Sequence, residues 1–137
     1  MPNQLRILLF IILTTISLPT LAEDNTTEPS KAIYFVIDEP FTINFLNQSQ
    51  QQVRYLQIRV ALMAYSQQAI TNAKANLPML QDALRSLFAE QSFNTVNSIE
   101  GREALQSSAI KSLNTLLKEQ VGSKPLDAVY FTSFVLQ

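Results

Sequence analysis

The chain has 137 residues, enough for one domain and too few for two, with 47% hydrophobic and 15% charged side chains. That balance supports a packed core and argues against a disordered chain. Ten basic residues against eleven acidic ones leave a net charge of −1 and no basic excess for phosphates, so nucleic acid is not an expected partner. Cysteine and histidine are both missing. Their absence removes disulfides, thiolate nucleophiles, the commonest general base and the commonest transition-metal ligand. Neither catalysis nor a cofactor or metal is expected.

Met1 to Arg6 form a short basic start, and Ile7 to Leu13 run without a polar residue. Thr14, Thr15 and Ser17 dilute the stretch before Pro19, and Thr20-Leu21-Ala22 puts small residues at −3 and −1 of a cut after Ala22. This three-part pattern is that of a secretory signal peptide over residues 1–22. The competing reading is an uncleaved anchor helix, because Leu5 to Leu21 lies at the short limit for crossing a bilayer. Either reading exports the remainder. Residues 23–30 (EDNTTEPS) are polar, carry a proline and read as a flexible tether.

The globular part is expected over 31–137. Ala32 to Ile37 is a dense apolar run of strand formers ending at Asp38-Glu39-Pro40, and Phe41 to Phe45 resumes the extended pattern. Asn47 to Gln52 is a polar break suited to a hairpin loop. From Arg54 to Met63 apolar residues alternate, with Leu56, Ile58, Val60 and Leu62 on one face and Tyr55, Gln57, Arg59 and Ala61 on the other. A period of two over this length is a half-buried strand.

The period turns helical at Ser66. Ser66 to Asn76 reads as a weak helix, and Pro78 suits the first turn of another. Leu80, Ala83, Leu84, Leu87 and Phe88 then form one apolar stripe. Ser98 is the N-cap of a further helix with Glu100 in its first turn and Leu105, Ala109, Leu113 and Leu116 on its buried face. Gly101 in that first turn is unfavourable by roughly 1 kcal/mol against alanine and invites a reason beyond propensity. Gly122 is the expected stop. Ala128 to Leu136 is extended again, and simple alternation puts Tyr130, Phe134 and Leu136 on one face against Val129, Phe131 and Val135 on the other. Apolar on both faces, it is expected to be an interior strand, or one covered by helices or a partner. The order predicts an α+β fold, a small and mostly antiparallel sheet with helices on one face.

Four stretches carry a family resemblance. Asp38 to Phe45 (DEPFTINF) is similar to a "PFTVNL" strand, and Tyr55 to Leu62 (YLQIRVAL) to a "YLKV…AL" strand. Glu100 to Leu105 (EGREAL), followed by Leu113 to Leu117 (LNTLL), is similar to an "EG(R/K)…L" helix start, and Val129 to Gln137 (VYFTSFVLQ) to "V.FT.FV.Q". In this order they resemble the FliL family of flagellar basal-body proteins across Tyr34 to Gln137. The resemblance implies a stomatin-like domain and no enzyme activity. It also implies a ring-forming homo-oligomer around the stator units of the flagellar motor, on the periplasmic side of a bacterial inner membrane. Family-motif positions, mainly structural, are Pro40, Phe41, Asn44, Tyr55, Leu56, Glu100, Gly101, Leu105, Asn114, Phe131, Phe134 and Gln137. Family members usually carry a full transmembrane helix, and often an aspartate where Ser133 stands. Cleavage after Ala22 would make this chain a soluble periplasmic variant, joined to the membrane through partners. The alternative function is a generic periplasmic adaptor of the same fold serving another envelope complex.

Among candidate site residues, Asp38-Glu39 before a proline reads as a solvated turn rather than a metal or arginine contact. Ser107-Ser108 with Lys111 has the spacing of a serine–lysine dyad but sits on a polar helix face. Asn44 and Asn114 are poor propensity choices, read as backbone-bonding residues of the architecture. Tyr55 and Arg59, on the polar side of the long strand, are interface candidates.

Overall fold

The computed structural model describes residues 30–45 and 53–137. The signal-like segment 1–22, residues 23–29 of the tether and the polar loop 47–52 lie outside the described residues. Four strands form: β1 (Ile33–Val36), β2 (Phe41–Phe45), β3 (Arg54–Ala64) and β4 (Ala128–Leu136). Between β3 and β4 come α1 (Gln67–Ala75), α2 (Leu77–Ala89), α3 (Phe93–Asn97) and α4 (Ile99–Val121). The fold is α+β, with a small antiparallel sheet.

β3 is the axis of the sheet. β4 pairs along it from Leu56 to Met63, so β1 and β2, which pair with Ala61–Ala64 and Arg54–Ile58, must share its opposite edge. They are two segments of one interrupted strand, broken at Asp38-Glu39-Pro40. Proline cannot donate a ladder hydrogen bond and the carboxylates demand water, so the interruption is written into those residues. Ile37 rejoins the ladder by donating its N–H to the Val60 carbonyl at 2.9 Å.

A register shift also falls between Arg59 and Val60 on the β4 side. Arg59 pairs with Ser133 but Val60 with Phe131, which leaves Thr132 as an extra residue. Such a bulge reverses the inside–outside parity beyond it. Val129 and Phe131 before it, and Phe134 and Leu136 after it, all pack toward the helices. Tyr130, Ser133 and Val135 fall on the other face, opposite Ala61, Arg59 and Gln57. Unbroken alternation, which groups Tyr130 with Phe134 and Leu136, is therefore incorrect for this strand. Nor is β4 interior among the described strands: it pairs only with β3, and its second apolar face is the helix side restored by the bulge.

Each helix begins on a side-chain cap or a proline. Ser66 accepts from the Ala69 N–H, Ser92 from Thr95 and Ser98 from Gly101, while α2 starts with Pro78 in its first turn. α4 ends where Gly122 takes φ of 59°, and its N–H and that of Ser123 donate to the Lys118 and Leu117 carbonyls. Leu80, Leu84 and Phe88 of α2 and Leu105, Ala109, Leu113 and Leu117 of α4 are buried. Phe88 is the hub, with T-shaped contacts to Phe41 at 5.3 Å and Phe131 at 5.7 Å. Among the described residues no helix is long and apolar enough to cross a membrane.

Candidate functional site

With the helices on one side, the other face of the sheet has no covering layer among the described residues. Strand alternation puts Tyr34 and Val36 of β1, Thr42 and Asn44 of β2, and Tyr55, Gln57 and Arg59 of β3 on this open face. Tyr130, Ser133 and Val135 of β4 join them. Arg59 is the one charged side chain that the register places there.

The open face divides into two halves. At the β1 end, Tyr34 and Tyr130 flank β3 with ring centroids 6.2 Å apart. They pair across to Met63 and Ala61, which explains why those two are only 7% and 3% exposed on a face without helices. The rings themselves stay wet, Tyr34 58% and Tyr130 39% exposed, and Val36 beside them is 49% exposed. An aromatic and aliphatic patch rimmed by polar groups is the composition of a protein contact surface. At the β2 end most of the lining residues carry polar groups. Thr42, Asn44, Tyr55, Gln57, Val135 and Gln137 frame an open groove of about 300 Å³ whose wall is largely the apolar parts of these side chains.

Tyr55 and Arg59, taken from the sequence as interface candidates, thus share one face, Tyr55 in the groove and Arg59 between the halves. Asn44 and Gln137 also line the groove. The remaining motif positions lie elsewhere. Phe41, Leu56 and Leu105 belong to the buried core, with Phe131 and Phe134 packed against it, and Pro40 closes the strand interruption. Asn114 donates to the Leu126 carbonyl at 2.9 Å and accepts from the Leu126 N–H at 2.8 Å, holding the approach to β4.

Glu100-Gly101-Arg102 forms a joint between α3, α4 and β4. A Cβ on Gly101 would lie 1.8 Å from the Thr95 carbonyl oxygen, so only glycine admits α3 so close to α4. Arg102 donates from Nε to the Val96 carbonyl at 2.8 Å and stacks its guanidinium 4.6 Å from the Phe134 ring. Sequence reasoning left Arg102 out of the candidate positions, although it stands in the motif beside Gly101; its role depends on α3, which the periodicity did not show. Glu100 is exposed at the same helix start, where a negative charge complements the dipole.

Asp38 and Glu39 are exposed at the strand break, and no three acidic side chains converge on a metal-sized site among the described residues. Ser107 donates to the Glu103 carbonyl at 3.0 Å along its own exposed helix face. The architecture is that of an α+β domain in which one face of the sheet has no covering layer among the described residues.

The family model described as "Flagellar basal body-associated protein FliL" matches residues 34–137. The "Flagellar protein FliL" of Aquifex aeolicus (strain VF5) is 29% identical over 109 residues, covering 80% of this chain and 64% of that relative. The chain thus spans just under two thirds of the relative's length. It belongs to the FliL family of flagellar basal body-associated proteins.

Proposed function

We propose that the protein is a non-catalytic accessory of the flagellar motor, self-associating into a ring and contacting stator units from the periplasmic side of the inner membrane. Membership of the family carries the flagellar role. The export pattern of residues 1–22 supports the periplasmic side. Within the domain, the apolar half of the open face, around Tyr34, Val36 and Tyr130, is the contact surface.

Deletion of the gene tests the role. Swimming speed, swarming and motor torque are expected to fall; unchanged motility in all three would reassign the domain to another envelope complex. Crosslinking through cysteines introduced at Val36 and Tyr34 in cells is expected to trap copies of the chain or stator proteins. Fractionation with mass spectrometry of the N-terminus then distinguishes a soluble protein starting at Glu23 from one anchored through an intact Met1.

A further inference from the structure

We propose that the polar half of the open face binds a neutral oligosaccharide. The groove there, of about 300 Å³, falls at the lower end of the range for small-molecule sites. Its floor and walls are strand-borne. Asn44 pairs with Tyr55 and Thr42 with Gln57 on one side of β3, and Gln57 pairs with Val135 on the other. Tyr55 and Gln137 exchange both main-chain hydrogen bonds, at 2.8 and 2.9 Å. Side chains held on paired strands are positioned more rigidly than those on loops.

The lining chemistry selects the ligand. Three carboxamides and the Thr42 and Tyr55 hydroxyls supply both donors and acceptors, and none of the six lining side chains is charged. Among the described residues, no side-chain hydrogen bond uses Thr42, Asn44, Gln57 or Gln137, so that capacity faces solvent unspent. The ring of Tyr55, 43% exposed, and the Val135 methyls add apolar contact area beside it. Sugar rings present the matching combination, hydroxyls that donate and accept around a face of C–H groups. An extended peptide fits less well. Peptides add to sheets through free main-chain groups at an edge. Among the described strands those edges are the outer sides of β1, β2 and β4. The groove lies instead on the sheet face over β3, where Tyr55 and Gln137 spend theirs on each other. This ligand is additional to the protein contacts assigned to the apolar half.

The test uses the protein in the form the cell produces, labelled with nitrogen-15, titrated with chitotetraose and, separately, maltotetraose. At least one sugar is expected to shift the side-chain amide signals of Asn44, Gln57 and Gln137. About 0.5 M salt should leave that binding nearly unchanged, because the sugar is neutral and no charged side chain lines the groove. Tyr55→Leu is expected to weaken it about tenfold or more, equivalent to about 1.4 kcal/mol, with an unchanged melting temperature. If Tyr55→Leu does not fold, Gln57→Ala, at an exposed position, is read in its place. No amide shift with either sugar, or shifts confined to the Tyr34 and Tyr130 end, overturns the proposal. So does wild-type affinity in both variants, or tighter binding of an uncharged Ala/Ser pentapeptide in the same groove.

Discussion

Gly101 lies in the first turn of α4, where helix propensity alone says that alanine should stabilise by roughly 1 kcal/mol. The close Thr95 carbonyl reverses the sign, because a methyl group there must push α3 away from α4. Gly101→Ala is expected to cost about 1–3 kcal/mol, the range for overpacking a fitted contact. A urea melt of the two proteins reads it directly, and a gain in stability would refute the geometry. Asn114 is the other residue whose value lies in main-chain bonding. Leu126 is 2% exposed, so Asn114→Ala leaves its N–H and carbonyl without their partner in a buried place. A loss of about 1–3 kcal/mol is expected from the same measurement. Sequence alone marked both residues as odd choices; it contained no sign of what they touch.

The decisive event among the elements is the bulge in β4. Thr132 reverses parity so that one strand gives Val129 and Phe131, then Phe134 and Leu136, to the same core. Deleting Thr132 would remove the bulge and keep Phe131 opposite Val60 and Ser133 opposite Arg59, so Phe134 and Leu136 would stay on the helix side in plain alternation. The shortened chain is therefore expected to keep its cooperative melt, and Thr132→Ser should stay within about 0.5 kcal/mol of the parent. Binding of a hydrophobic dye and loss of the cooperative melt on deletion would refute this register. Periodicity located β1, β2, β3 and β4 closely because strand alternation and apolar runs are local signals. It gave no sign of α3, since five residues make barely one turn and bury one side chain, Val96. The Ser92 cap was a local clue to its start, as its hydroxyl accepts from the Thr95 N–H at 3.2 Å.

For the whole molecule, stability and contact are separated by the sheet. Helix-side residues hold the fold, while the proposed function places partners on the open face. Val36→Asp, at a position 49% exposed, is expected to change stability by no more than about 0.5 kcal/mol yet reduce swimming when it replaces the native gene. Phe88→Ala, on the opposite side of the sheet and fully buried, should instead cost about 3–5 kcal/mol and lower the protein's abundance. Equal loss of stability in both variants would mean that the open face is part of the core. Melting curves and cell abundance measured beside swimming speed separate these outcomes.

By itself, the sequence determined the strands, the three longer helices, the Ser98 cap, the terminating glycine and the family. Each of these is carried by a residue and its near neighbours along the chain. It also placed Tyr55 and Arg59 on the polar side of one strand, since parity within an unbroken strand is local. Only the tertiary structure decided that β1 and β2 share an edge, that Thr132 resets the parity of β4, and that Thr95 demands glycine at 101. It alone brought Asn44, Tyr55 and Gln137 to one groove. Those relations join residues far apart in the chain, and they arise when strands choose neighbours and helices settle against them, a choice governed by packing and main-chain pairing across the sheet.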